Sequence, residues 1–409
     1  MTDPRTILRD SPYNEVWAKM NKVTQRLKDK YRGKDYFPIG TSKPIYSYDL
    51  EKDIPEGDIY FFKMDTTETN NASSNCFIGQ SGTFKTTLIK TMTYYNSLLP
   101  RTKIGVMDLK GKSVDWDKCN YTHKNQGMLF PNEPATLDIQ AGCPLFAMRG
   151  MPDAEKRKTR KMNLSPTEFA DMNVLTGLGF SPIAKQHLFK MLHRGMPAEE
   201  ILDKVEELYN RKKITKPSYD NLSILIDNMI STGFFAKKNL FDMNEIWDED
   251  RAWALGFNNK EIPFLSVYVD KLLTKVFDRA NSAKGKNERY WLVVDDCQKA
   301  FGQDPNKFPS VQTGVDSVTQ WRSVGVNMNF GIQSPTMLNE EIYGDIKHFF
   351  IYRCANPATL SKYIPNKEII NQIRTLTFQP ERYVSECIHV FPDRFRFRRF
   401  FPFNSPIAN

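Results

Sequence analysis

The stretch from Asn75 to Leu99 constrains this chain more than any other. Asn75-Cys-Phe-Ile78 reads as a short buried strand. A glycine-bearing loop follows, Gly79-Gln80-Ser81-Gly82-Thr83-Phe84, and Lys85-Thr86-Thr87 opens a helix that must stop before Pro100. Strand, loop and helix in this order is the context of a phosphate-binding loop. Backbone N–H groups of the loop point at the phosphates, and the helix N-terminus adds partial positive charge. Lys85 would then reach the β- and γ-phosphates of ATP, with the Thr86 hydroxyl on Mg²⁺. A plain strand–turn–helix is the competing reading, because Phe84 stands where the usual pattern has glycine.

The remaining chain supplies context for choosing between the two. At 409 residues it can bury an ample core and form two or three domains. A formal charge of +9 permits an anionic partner such as nucleic acid without requiring one. Six cysteines without a Cys-x-x-Cys pair and five histidines without an i,i+4 pair indicate neither a zinc site nor a disulfide framework. The polar N-terminus and the lack of an apolar run of about 20 residues argue against a signal peptide and a membrane span. A reducing, cytoplasmic setting is expected.

Periodicity then orders the elements. An amphipathic helix is expected over 11–30, with Val16, Met20, Val23 and Leu27 on one stripe and Lys19, Lys22, Arg26 and Lys30 on another. That basic stripe is a solvated face or a contact for an acidic partner. Lys103 to Asp108 reads as a strand ending in a carboxylate. Residues 154–238 read as mainly helical, with helices over 183–192, 199–211 and 219–232. Strands are expected again over 251–257, 290–295, 326–332 and 348–352. A long helix over 264–283 carries Leu265, Val269, Leu272, Val276 and Ala280 on one face, and a shorter one spans 313–322. Alternating strands and helices imply a parallel sheet covered on both faces.

Three more motifs carry chemistry. Val293-Val294-Asp295-Asp296 is an apolar strand ending in two acids. Asp295 would hold the metal, and Asp296 would orient and deprotonate an attacking water. An ordinary polar turn is the alternative. Gly331-Ile332-Gln333-Ser334-Pro335 puts an amide at the end of the next strand, where parallel strands face their ligand crevice. Gln333 is either a γ-phosphate contact or a solvated strand end. Arg322, just before that strand, is an arginine finger if the protein forms a ring, and a surface arginine otherwise.

Together, four segments resemble the HerA–FtsK superfamily of DNA-pumping ATPases. They are Gly79–Thr86, Val106-Met-Asp108-Leu-Lys110-Gly111, Leu292–Gln298, and Trp321-Arg322 through Pro335. The helical insertion between the second and third segments fits as well, so the resemblance spans about residues 60–365. It implies an α/β fold: a RecA-like P-loop NTPase core with a mainly parallel sheet and an α-helical insertion. It further implies ATP hydrolysis with Mg²⁺, a homohexameric ring, and double-stranded DNA threaded through the pore. By the same resemblance Lys85 and Thr86 take nucleotide and Mg²⁺, and Asp295 the metal. Asp296 takes the catalytic acid position, Gln333 the sensor role, Arg322 the arginine finger, and Asp108 an active-site acid. The chain departs from the pattern at Phe84, at Asp296 where the family usually has Glu, and in an N-terminal stretch too short for the β-barrel of cellular HerA. The last departure favours relatives such as viral genome-packaging ATPases, whose setting would be the host cytoplasm.

The expected organisation is an N-terminal segment 1–58, a first core part 59–150, a helical insertion 151–245, a second core part 246–375, and a basic aromatic tail 376–409. Lys156-Arg157-Lys158-Thr159-Arg160-Lys161 is either a DNA-phosphate contact or a solvated linker. In the tail, strand alternation would put Arg394, Arg396 and Arg398 on one face and Phe395 and Phe397 on the other. That strand would be an edge strand or a base-stacking platform. Two rival functions remain open: a P-loop kinase or other small-substrate NTPase, and a nucleotide-binding subunit with reduced hydrolysis.

Overall fold

The computed structural model of the chain describes residues 36–42, 59–63, 72–97, 99, 101–109, 139–144, 160–162, 186–188, 190, 198–231, 243–248, 252–256, 262–305, 308–382 and 384–402. The helix expected over 11–30, the segment Lys110-Gly111 and residues 156–159 lie outside this set.

The strands are β1 (Tyr36–Thr41), β2 (Ile59–Lys63), β3 (Asn75–Ile78), β4 (Thr102–Asp108), β5 (Ile139–Pro144), β6 (Arg160–Met162), β7 (Ala252–Gly256), β8 (Arg289–Asp295), β9 (Val326–Ile332), β10 (His348–Ile351), β11 (Phe378–Gln379), β12 (Val384–Ser385), β13 (Cys387–Val390) and β14 (Phe397–Pro402). Twelve of them form one sheet in the order β2-β1-β14-β13-β10-β3-β9-β8-β4-β7-β5-β6. From β10 to β6 every pairing is parallel. β13, β14, β1 and β2 continue the sheet in antiparallel pairings.

The helices are α1 (Lys85–Ser97), α2 (Ala198–Asn210), α3 (Lys216–Ser231), α4 (Met243–Asp248), α5 (Ile262–Asn281), α6 (Ser310–Thr319), α7 (Glu340–Asp345) and α8 (Lys367–Arg374). Both sheet faces are covered, as the apolar strands demand. On β8, Tyr290, Leu292 and Val294 face one core together with Leu265, Val269, Leu272, Val276 and Ala280 of α5. Trp291 and Val293 face the other, against Leu88, Ile89 and Met92 of α1. The five α5 residues are those expected on one helical stripe. The helix expected over 219–232 begins earlier, at Lys216-Pro217, because proline is tolerated in a helix's first turn. The helix expected over 313–322 ends at Thr319 and tightens into a 3₁₀ turn, Trp321–Val324.

The C-terminal segment differs from expectation. β14 is not an edge strand: it lies between β13 and β1. The strand begins only at Phe397, so the arginine stripe does not form. Arg394 adopts a left-handed φ of 66° and folds over the Phe349 ring at 4.4 Å, while Arg396 pairs with Asp393 in a turn. Of the three, Arg398 alone sits on the strand, over the Tyr60 ring at 4.8 Å. The backbone N–H groups of Phe395 and Arg396 donate to the Asp393 carboxylate and hold this turn, which alternation along the sequence cannot register.

Candidate active site

β3 and β8 are not neighbours in the sheet. β9 lies between them, and the C-terminal ends of all three open onto the same edge. Buried amides hold this triplet together. Asn75 donates to the Asn329 side chain at 2.7 Å, and Asn329 donates to the Leu292 carbonyl at 2.8 Å. The polar residues inside the apolar run Val326–Ile332 were the sequence signal for these bonds, and it was missed.

The loop after β3 begins at Gly79, whose N–H donates to the Ile332 carbonyl at 3.1 Å. A Cβ at Gly79 would meet Thr83 Oγ1 at 2.6 Å and Tyr352 Cβ at 2.8 Å, so a side chain does not fit. Gln80, Ser81 and Gly82 are exposed, Gly82 with a φ of 83°. Thr83 is buried and closes the loop through its hydroxyl to the Gln80 carbonyl at 2.8 Å. Phe84 has a φ of 61°, in the left-handed region that favours glycine. Its carbonyl accepts from the N–H groups of Thr87 and Leu88, so it is the turn into α1. Thr87 is buried.

Lys85 and Thr86 turn inward toward the end of β8. Thr86 Oγ1 donates to Asp295 Oδ2 at 2.7 Å, and Lys85 Nζ lies 3.6 Å from Asp295 Oδ1 and 4.0 Å from Asp296 Oδ1. Lys85 is only 5% exposed, Asp295 0% and Asp296 4%. The two buried carboxylates stand against Lys85 and, at 3.9 Å from Asp296 Oδ2, Lys299. Asp296 has a left-handed φ of 55°, which a short polar side chain tolerates, and its N–H donates to Asp295 Oδ1 at 3.0 Å. Gln333 Nε2 donates to Asp296 Oδ1 at 3.3 Å. Asp108 ends β4 in register with Asp295, and the next residue's N–H donates to the Asp295 carbonyl at 3.1 Å.

Arg322 is elsewhere. Its carbonyl accepts from Ala72 N–H, just before β3, and it precedes β9. It therefore stands at the N-terminal edge of the parallel strands, about 20 Å of strand length from its own chain's loop.

Two contributors were not given a role from the sequence. Lys299 donates to the Leu109 carbonyl at 2.6 Å and lies 3.9 Å from Asp296 Oδ2, tying the end of β4 to the acid pair. Its position three residues after Asp296 was the available signal. Gly331 faces Asp295 across β8 and β9.

The donor set fits Mg²⁺. Thr86 Oγ1 and the Asp295 carboxylate are hard oxygen donors on one side of the site, and Mg²⁺ usually takes one or two carboxylates with water and substrate phosphates. Among the described residues no group of three or more His, Cys, Asp or Glu could hold a metal by itself. A hydroxyl and a carboxylate that share an ion with phosphates satisfy the site without such a cage.

No protein-family model matches the chain, and neither does any curated protein. Solved structures do. VirB4 of Thermoanaerobacter pseudethanolicus superposes with a TM-score of 0.55 at 10% identity, covering 90% of this chain and 98% of that one. The plasmid coupling protein TrwB, in complex with a non-hydrolysable ATP analogue, gives a TM-score of 0.52 at 12% identity, covering 94% and 93%. The chain shares their fold. The RecA-like P-loop architecture implied by the HerA–FtsK resemblance is therefore the architecture observed. No described helix is long and apolar enough to cross a membrane.

Proposed function

We propose that this protein is an ATPase that moves double-stranded DNA, working as a homohexameric ring in the cytoplasm, the host's if the DNA is viral. The observation that carries the reading is the Thr86–Asp295 hydrogen bond with Lys85 set against both acids. These are the groups that cradle the β- and γ-phosphates and the accompanying Mg²⁺ in P-loop hydrolases. TrwB, of the same fold, binds an ATP analogue, which supports a nucleotide as the ligand.

In this reading the loop Gly79–Phe84 presents its N–H groups to the phosphates, and Lys85 neutralises the β- and γ-oxygens. Thr86 and Asp295 would hold Mg²⁺, which supplies charge neutralisation to the transferred phosphoryl group. Asp296 orients the attacking water and accepts its proton. Gln333, bonded to Asp296, is placed to sense the γ-phosphate. Asp108 lines the same edge. Arg322, too far from its own loop, acts on the neighbouring subunit's γ-phosphate, so the site is complete only between two copies.

The test combines oligomeric mass with turnover. The protein should sediment as a ring with ATP and Mg²⁺ present, and duplex DNA should stimulate its hydrolysis. A monomer with DNA-independent turnover would overturn the motor in favour of a small-substrate enzyme.

A further inference from the structure

The turn between α2 and α3 is built with a lysine where its backbone favours glycine. Lys212 N–H donates to the Tyr209 carbonyl at 2.8 Å, and Lys213 N–H donates to the Leu208 carbonyl at 2.9 Å. This pair of bonds is a Schellman motif, which normally places glycine in the left-handed position and an apolar residue after it. Here Lys212 occupies the left-handed position with a φ of 54°, and Lys213 follows it. Both are exposed, and the chain turns inward only at Ile214, which is buried. A strained backbone held with a charged residue points to a use for that residue.

The surroundings concentrate charge at the same tip. Arg211, Lys212, Lys213 and Lys216 fall within six residues, and no acid occurs from 211 to 219. Arg211 pairs with Glu207 and Lys216 with Asp220, both exposed pairs that water screens. Lys212 and Lys213 have no ion-pair partner among the described residues. The last turn of α2 holds no basic residue, and the attraction of the helix dipole falls off within that turn, so it does not account for the cations beyond it. The base of the tip is rigid: the Tyr209 and Tyr219 rings stack at 4.7 Å, and Lys216 Nζ lies over both. Ile201, Val205, Leu222 and Ile226 anchor the two helices in the core.

We infer that the α2–α3 tip is a sequence-independent contact for the phosphate backbone of double-stranded DNA, made chiefly by Lys212 and Lys213. Lysine ammonium groups act on phosphates as point charges and carry no base information. The inference rests on the DNA-motor reading but names a surface that the site itself does not require.

Equilibrium binding of a labelled random-sequence duplex, followed from about 50 to 200 mM salt, tests it. Removing one phosphate contact lowers the log–log salt slope by about 0.9. Lys212→Gly should show that loss while melting at or above the parent's temperature, since glycine relieves the left-handed turn. Lys212→Gln with Lys213→Gln should lower the slope by about 1.8. If both proteins keep the parent's slope, the tip does not touch DNA, the inference fails, and the motor reading stands with its contacts elsewhere. If the parent itself shows no salt-dependent duplex binding, both fall together.

Discussion

The Asp295 carboxylate fills the space that a side chain on Gly331 would need. The two residues are register partners on β8 and β9, and a Cβ on Gly331 would sit 2.4 Å from Asp295 Oδ1. The glycine thus sets where the carboxylate meets Thr86 and Lys85. Gly331→Ala should push Asp295 off Thr86 and slow ATP turnover on the order of 10²-fold, the usual effect of a displacement of about 1 Å. Unchanged turnover in a folded variant would show that the Asp295 position is not critical.

Phe84 is the second test of local geometry. A left-handed conformation costs an ordinary L-residue roughly 1–2 kcal/mol. Phe84→Gly should therefore raise resistance to denaturant by up to about 1 kcal/mol, with turnover equal or higher. Complete loss of turnover would instead show that the phenyl ring is required at the site.

Asp296→Asn should keep nucleotide binding and slow hydrolysis by about 10²- to 10⁴-fold, because an amide cannot take the water's proton. The Gln333 contact can persist, since the remaining Oδ1 still accepts. Nucleotide titration alongside single-turnover hydrolysis separates the two effects. Parent-like hydrolysis would remove Asp296 from the base's role.

Arg322→Ala should leave nucleotide affinity nearly intact and lower turnover by about 10³-fold or more. The edge on which Arg322 stands makes the mixing experiment decisive. Lys85→Ala and Arg322→Ala, each inactive alone, should regain partial activity when mixed, at interfaces that pair an intact Lys85 loop with an intact Arg322. A mixture that stays inactive, although each variant assembles with the parent, would exclude action in trans.

A buried histidine pair predicts the pH dependence of stability. Tyr60 OH meets His389 Nδ1, and His389 Nε2 lies 3.0 Å from His348 Nδ1, inside a shell of Phe62, Phe350 and Phe391. Burial, and next the neighbouring His348, push the His389 pKa well below its ordinary value. Its unfolded form binds a proton near pH 6.5 and its folded form only at lower pH. The stability it contributes is thus complete above about pH 6.5 and falls as pH drops, by up to about 1.4 kcal/mol per unit from this group. Urea midpoints measured from pH 8 to pH 5 should show this fall in the parent and a shallower one in His389→Gln. Equal slopes would mean that other groups carry it.

Much of the core was legible because its signals are local. The strand–loop–helix over 75–97 and the strand ending at Asp295 each announce themselves within a few residues, through apolar runs that stop at glycine or at acids. The continuous apolar run of β8 likewise marks a strand buried on both faces, and the stripe of α5 names its buried face, since a period of 3.6 survives in a helix that must bury one side. Lys299 and Gly331 were less visible. Each matters through one contact with an acid, and a single contact leaves no periodic trace. The tail failed for a related reason: alternating Arg and Phe satisfy a strand pattern, but Asp393 captures the backbone first and turns it.

The amino-acid sequence by itself determined the core strands β3, β4, β7, β8, β9 and β10 and the helices α1 and α5, and it marked the loop 79–86 as a candidate phosphate cradle. It did so because propensity and periodicity act over neighbouring residues. Tertiary structure decided what those residues meet. Pairing across the sheet placed β9 between β3 and β8, brought Thr86 to Asp295 over a separation of 209 residues, and closed β1 onto β14 from opposite ends of the chain. It also put Arg322 on the edge away from its own loop. Such pairings are selected by burial and hydrogen bonding summed over the whole sheet, and no short stretch of sequence contains that sum.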